Sequence, residues 1–251
     1  MSVPVLVEIC VDSVASALAA ERGGASRVEL CSDLFEGGIT PSAGLIELVR
    51  ARISIGLHVM IRPRGGDFCY TPDEFETMQR DILIAQKIGA DGVVLGILRP
   101  DDTVDIERTR QLVKLARPLT VTFHRAFDMS NNLLHALEDI CAAGVDRVLT
   151  SGGEQTALLG IDRIAELVDA SRGRIAIMAG GAIREHNVAS VVERTRVREL
   201  HSRLRKPVID AITNSDQKIS IGTIPSHTCQ SVPVLESDVR KLCDAAAGAL
   251  I

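Results

Sequence analysis

Short runs rich in valine, isoleucine and leucine alternate with amphipathic stretches along the whole chain. Runs of this kind predict buried strands, and apolar residues that recur every three to four positions predict helices. The predicted strands are 5–10, 27–31, 56–61, 92–97, 119–124, 147–150, 175–179 and 199–201. A helical pattern follows each of the first seven, at 13–21, 42–52, 72–88, 105–116, 133–142, 160–170 and 186–194.

Local signals mark where several of these helices begin and end. Thr71 followed by Pro72 and Glu74 combines a capping threonine, a first-turn proline and a capping-box glutamate, and Thr40-Pro41 is expected to open the second helix similarly. Three helices are expected to end at a glycine a few residues before the next strand. These glycines are Gly24, Gly89 and Gly144.

The spacing of the strands predicts the fold class. Their carboxyl ends recur about every 27 residues, near the ~30 residues of one unit in a (β/α)₈ TIM barrel. A doubly wound sheet is the structural alternative, but eight units at this spacing use residues 1–251 as a single domain. After strand eight we expect a long irregular loop at 202–236 and a terminal helix at 237–249.

Composition and charge argue against several classes of binding partner. The chain has 251 residues, a net charge of -5, five phenylalanines, one tyrosine and no tryptophan, which argues against a nucleic-acid partner. No membrane association is expected, because neither a signal peptide nor a spanning apolar run is evident. The six cysteines form no Cys-x-x-Cys pair, which favours reduced thiols and a cytoplasmic location.

The first two strands carry matching polar positions. Side chains two apart on a strand share a face, so Glu8 points with Cys10, and Glu29 points with Cys31. Neighbouring strands would then place two acids and two sulfurs side by side. The simpler alternatives are that the cysteines are small buried apolar residues and that the acids pair with Arg62, Arg64 and Arg125.

Other polar residues follow strands three and five to seven, where barrel enzymes carry their sites. Arginines and glycine turns there can hold an anion, although salt bridges between loops are the alternative. The candidate substrate-binding residues are Arg62, Arg64, Asp67, Arg125, Asp128, Ser151, Gly152, Gly180 and Gly181. Four of the six aromatic residues lie in or beside these motifs and are expected to wall the pocket or brace its arginines. They are Phe68, Tyr70, Phe123 and Phe127.

Two histidines are candidate acid–base groups. His124 and His201 end strands five and eight on the predicted pocket side, and both join Glu8 and Glu29 as candidate catalytic residues. His58 lies deeper in strand three and is interpreted as a core histidine.

Several of these segments resemble the CutC family of copper homeostasis proteins. The matching segments are Ile61-Arg-Pro-Arg-Gly-Gly-Asp-Phe68, Thr122-Phe-His-Arg-Ala-Phe-Asp128, Leu149-Thr-Ser-Gly152, Glu8-Ile-Cys10 and Arg27-Val-Glu-Leu-Cys31. The resemblance implies a (β/α)₈ barrel, a cytosolic location, a homo-oligomer (dimer or tetramer) and Cu(I) binding, with Cys10 and Cys31 as the metal ligands. The chain departs from the family pattern near the last strand, at Arg194, Arg196 and Arg203.

Two functional hypotheses follow. The first is Cu(I) handling by Cys10 and Cys31, since thiolates suit this soft ion. The alternative is an enzyme with isomerase- or lyase-type acid–base chemistry on a small anionic or sugar-like substrate. A barrel that only binds a partner is a third reading. No organic cofactor is expected in any of them.

Overall fold

Eight parallel strands close into a barrel in which each strand pairs with its neighbours in the chain and the last returns to the first. The computed structural model describes residues 4–204, 207–208, 230–231 and 233–249. The strands are β1 (Leu6–Val11), β2 (Arg27–Leu30), β3 (Gly56–Met60), β4 (Gly92–Leu95), β5 (Thr120–Phe123), β6 (Arg147–Thr150), β7 (Ala176–Ala179) and β8 (Glu199–Ser202). This confirms the predicted (β/α)₈ class.

Helices surround the barrel on its outer side. They are α1 (Val14–Arg22), α2 (Ala43–Arg50), α3 (Pro72–Ile88), α4 (Ile106–Ala116), α5 (Leu133–Ala143), α6 (Ile161–Ser171), α7 (Val188–Thr195) and α8 (Glu236–Gly248). Short 3₁₀ turns lie at Leu34–Glu36 and Phe127–Met129. Among the described helices, none combines the length and apolar character that a membrane crossing needs.

Most of the predicted boundaries agree with the structure to within two residues. Thr71 and Glu74 form the expected capping box at the start of α3. Each of the three glycine turns adopts a left-handed φ, between 85° and 94°, which favours glycine. At the end of α7, Arg196 takes the same kind of conformation (φ 59°) without being a glycine.

The predicted range of the second helix begins within one residue of α2, but its predicted cap is wrong. Ser42, not Thr40-Pro41, caps α2, and its hydroxyl accepts a hydrogen bond from the Leu45 N–H. Thr40 is held elsewhere, because its hydroxyl accepts from the Arg62 N–H at 2.9 Å and its own N–H donates to the Arg62 carbonyl at 2.9 Å. The threonine therefore ties the loop before α2 to the end of β3.

The predicted loop at 202–236 falls largely outside the described residues. Within it, β9 (Pro207–Val208) pairs antiparallel with β10 (Gln230–Ser231). The terminal helix α8 follows and packs on α1 and α7, with Val239 and Leu242 fully buried. It therefore closes the ring of helices beside the first strand.

The main hydrophobic core lies between the barrel and its helices. Alternate positions of β1, such as Val7 and Ile9, face this layer, while Glu8 and Cys10 face the barrel interior. Phe123 and Phe127 are fully buried in the main core, so the expectation that they wall a pocket is wrong. The interior contains charged and sulfur-bearing side chains in place of the usual branched apolar layers.

Candidate functional site

The register of β1 and β2 brings the predicted acids and sulfurs together inside the barrel. Glu8 pairs in register with Arg27, and Cys10 pairs with Glu29. Cys31 follows directly after β2, and its Sγ lies 4.0 Å from the Sγ of Cys10 and 3.6 Å from Glu29 Oε2. Both cysteines are buried free thiols.

His201 joins this group from β8, the strand on the other side of β1. Its Nδ1–H donates to Glu8 Oε1 at 2.8 Å, and its Nε2 lies 3.7 Å from Glu29 Oε2. Two overlapping sets of possible metal ligands result, each with its donor atoms within 4.8 Å of one another. One set is Cys10, Glu29 and Cys31, and the other is Glu8, Glu29 and His201.

The two neighbouring thiols have opposed pKa shifts. Hydrogen bonding from Cys31 outweighs burial, and the nearby His201 adds to it, so the pKa of Cys10 falls to about 5. The same contact, together with burial, raises the pKa of Cys31 well above its usual range. Cys10 is therefore the sulfur of the pair that loses its proton more readily.

The carboxyl groups and the imidazole are shifted in opposite directions. Burial raises the pKa of Glu29 well above its usual value, although the charge of His201 opposes this. Burial favours the neutral form of Glu8, but Arg27 and His201 hold its pKa below the ordinary range. For His201, burial would lower the pKa, yet Glu29, Cys10 and Glu8 together raise it well above 6.5.

A buried ion network beneath these groups was not predicted from the sequence. Arg27 donates to Glu8 Oε2 at 2.6 Å and also makes a short hydrogen bond to Glu199. Arg147 makes a second short hydrogen bond to the same Glu199 carboxylate. The sequence nevertheless contained a signal for this network, because side chains two positions apart on a strand face the same side. Arg27 lies two positions before Glu29, and Glu199 lies two positions before His201.

Opposite charges are paired inside the barrel. Arg27 contacts both Glu8 and Glu199, Arg147 contacts Glu199, and His201 contacts Glu8. Such pairing is what allows ionised groups to remain stable in a buried interior. Of the two predicted acids, Glu8 has an arginine partner, but this is Arg27 and not one of the loop arginines that the sequence suggested.

His58 is a core histidine, as interpreted from the sequence. It is buried, its Nε2 lies 3.3 Å from the hydroxyl of Thr120, and its Nδ1 lies 3.5 Å from Glu8 Oε2. Burial lowers its pKa to about 4, so the ring is neutral.

The two predicted arginines in the loop after β3 are already hydrogen-bonded within the protein. The terminal nitrogens of Arg62 donate to the carbonyls of Glu36, Gly38 and Gly66 at 2.6 to 3.0 Å. Arg64 donates to Asp67 at 2.9 Å and to Glu74 at 2.6 Å. Their guanidinium groups also stack on aromatic rings, Arg62 on Phe68 and Arg64 on Tyr70, which confirms the expected bracing role of these two rings.

The turn after β6 holds a carboxylate from the chain itself. Asp128 accepts from the hydroxyl of Thr150 at 2.5 Å and from the backbone N–H groups of Ser151 and Gly153 at 3.0 and 3.1 Å. Arg125 donates to the same carboxylate at 2.7 Å. The groups proposed as an anion cradle therefore bind an internal anion in this structure.

The glycines after β7 lie where there is little room for a side chain. A Cβ on Gly180 would lie 2.5 Å from Leu149 Cδ1, and one on Gly181 would lie 3.1 Å from Ser151 Cβ. The carbonyl of Gly181 accepts from the Ala157 N–H at 2.9 Å. These contacts tie the β7 turn to the loop after β6.

Comparison with known proteins places the chain in a family. The model of the CutC family matches residues 5–206. A copper homeostasis protein cutC homolog of Mus musculus is 45% identical over 94% of this chain and 86% of its own length. A CutC family protein of Chromobacterium violaceum is 42% identical over 96% of this chain and 97% of its own length.

A solved structure agrees with the sequence relatives. The crystal structure of a CutC protein from Streptococcus agalactiae superposes with a TM-score of 0.75 at 34% identity, covering 78% of this chain and 97% of that one. The segments that suggested the resemblance, including residues 61–68 and 122–128, all lie within the range matched by the family. On sequence and structure alike, this chain belongs to the CutC family.

Proposed function

We propose that this protein binds Cu(I) at the mouth of its barrel through the sulfurs of Cys10 and Cys31. The observation that carries the proposal is the 4.0 Å separation of two buried sulfurs, one of which has a lowered thiol pKa. Metal–sulfur bonds of about 2.3 Å at a roughly trigonal angle separate two sulfurs by about 4.0 Å. The pair can thus accept a soft cation with little rearrangement.

The surroundings of the sulfurs support a cation at this place. Glu29 contributes an Oε1 atom that is buried and has no hydrogen-bond partner among the described residues. Soft thiolates select Cu(I) over hard divalent ions, and imidazole also suits copper. Glu29 would therefore be a third ligand beside the two sulfurs, and His201 lies next to Glu29.

The decisive experiment is a Cu(I) titration under anaerobic conditions against a competing colorimetric Cu(I) chelator. We expect one tightly bound ion per chain in the wild type. Cys10→Ser and Cys31→Ser should each weaken binding by at least about 100-fold, because removal of a ligand costs more than removal of a supporting group.

Cys69→Ser is the matched control, since Cys69 lies in the loop after β3, is only partly buried and is not in either ligand set. It should bind Cu(I) as the wild type does. Unchanged affinity in the Cys10→Ser/Cys31→Ser double variant, with an unchanged thermal unfolding midpoint, would contradict the proposal.

We also propose a cytoplasmic location and a homo-oligomer, either a dimer or a tetramer. All the cysteines that the structure describes are free, although Cys10 and Cys31 lie close together, which supports a reducing compartment. Sedimentation analysis at micromolar concentration tests the oligomer, and a monomer over the whole concentration range would refute it.

A second candidate function is acid–base catalysis on a small substrate. It is favoured by the opposed pKa shifts of neighbouring groups, because the pKa values of Glu29 and His201 are raised and that of Glu8 is lowered. An isomerase- or lyase-type proton transfer would use these groups as acid and base. A screen of small carbonyl and sugar-like compounds with the wild type and the Glu8→Gln and His201→Ala variants tests it, and turnover indifferent to both changes would exclude this assignment.

A further inference from the structure

Three buried polar groups near the ends of β3 and β5 have atoms without hydrogen-bond partners. They are Arg62 Nε, the Tyr70 hydroxyl and His124 Nε2, in side chains of residues that are 5%, 6% and 4% exposed. Buried polar atoms in native proteins are almost always paired. Three such atoms in one neighbourhood therefore require an explanation.

Two of the three side chains, those of Arg62 and His124, meet around Phe68. The Phe68 ring centroid lies 5.0 Å from the Arg62 guanidinium carbon and 5.0 Å from the centroid of the His124 ring. Burial lowers the pKa of His124 and raises that of Tyr70, and the nearby charge of Arg62 lowers both pKa values, so Arg62 is a neighbour of both side chains. Phe68 itself is only partly buried, so this ring is the side from which the cluster meets solvent.

All three unpartnered atoms can donate a hydrogen bond. His124 Nδ1 accepts from the Ala126 N–H at 3.1 Å, so the proton of the neutral ring is on Nε2. Burial lowers the pKa of His124 to about 3, which keeps the ring neutral. Arg62 Nε–H donates by its nature, and the hydroxyl of Tyr70 has no acceptor within the described residues.

The cluster also carries one positive charge without a carboxylate partner. Arg62 forms no ion pair with a described acid, and its terminal nitrogens contact only backbone carbonyls. Asp67, the nearest acid on the same loop, pairs with Arg64 and has a side chain that is 69% exposed. A buried guanidinium in this state favours a bound anion.

We propose that Arg62, Tyr70 and His124 form a binding site for the carboxylate of a small organic ligand, covered by the Phe68 ring. One guanidinium and two neutral donors match a single negative charge and its two oxygens. A phosphate dianion would bring a second charge that has no partner here. None of the three residues is a proposed copper ligand, so the inference goes beyond the copper site and does not rest on it.

Acetate is the probe, with phosphate at equal ionic strength as the comparison, and binding is followed by calorimetry and by the thermal unfolding midpoint. We expect acetate to bind and to raise the midpoint of the wild type, and phosphate to do so more weakly. Tyr70→Phe removes one donor but keeps the ring on which Arg64 stacks, so it should weaken acetate binding roughly tenfold. Without acetate its midpoint should not fall, because the hydroxyl has no partner to lose.

Two further variants keep the test decisive. His124→Asn retains an acceptor for the Ala126 N–H but removes the Nε2 donor, so it too should lose acetate affinity. Cys10→Ser/Cys31→Ser should bind acetate as the wild type does, which separates this inference from the copper proposal. Equal acetate affinity in Tyr70→Phe and the wild type, no acetate binding, or tighter phosphate binding would each overturn it.

Discussion

Replacing Arg27 with methionine is expected to lower the free energy of unfolding by about 3–5 kcal/mol, since it removes one partner of a buried ion pair. Arg27 has contacts with two carboxylates, Glu8 and Glu199, and its side chain is 7% exposed. Methionine keeps much of the apolar length of the side chain, so the loss comes mainly from the unpaired charges. Glu199 retains Arg147, but Glu8 retains only histidines. Chemical denaturation of the two proteins measures the difference.

Arg80→Met is the matched control for this prediction. Arg80 pairs with Glu76 on α3, but its side chain is 73% exposed, and such surface pairs contribute little to stability. Adding Glu8→Gln to Arg27→Met should restore part of the lost stability, because it neutralises the charge that has lost its partner. If Arg27→Met unfolds at the same denaturant concentration as Arg80→Met, the buried network does not stabilise the fold as argued.

The fold could be predicted from the sequence because its signals are local and repeated. Each strand–helix unit carries its own apolar period, and the capping box at Thr71 and the left-handed glycine at Gly89 fix the ends of α3 independently of the rest of the chain. Thr40-Pro41 misled the prediction, since the threonine side chain pairs with the backbone of Arg62, 22 residues away. A contact of that separation leaves no trace in the local pattern.

The candidate site was predictable only in part. The neighbouring positions of Cys10 and Cys31 could be predicted, because side chains alternate along a strand and every second one faces inward. The same alternation could equally have identified Arg27 as an inward residue, but arginine at a strand start is easily attributed to the surface. The side chain of Asp128 occupies the turn after β6 because two loops pack against each other. The alternation of apolar and polar residues along the strands does not encode how loops pack.

Gly38 links the two proposed sites, and its replacement by alanine is the second change with a large expected effect. The residue lies in the loop after β2 with φ 95°, and its carbonyl accepts from Arg62 Nη1 at 3.0 Å. A Cβ at this position would lie 3.1 Å from Cys31 Sγ and 3.3 Å from Cys31 Cβ. The added methyl group therefore presses directly on one of the proposed copper ligands.

We expect Gly38→Ala to weaken Cu(I) binding by about tenfold or more, because displaced supporting groups typically cost a metal site that much. The left-handed backbone should also lower the free energy of unfolding by about 1–3 kcal/mol. Chelator competition and denaturation measure the two effects separately.

Gly44→Ala is the control for this change. Gly44 lies in α2, and a Cβ added there would meet no described atom within 4 Å, so alanine should leave both quantities unchanged or slightly favour folding. Should Gly38→Ala lose stability but keep wild-type Cu(I) affinity, the loop would support the barrel without positioning Cys31, and the copper ligands would owe their geometry to β1 and β2 alone.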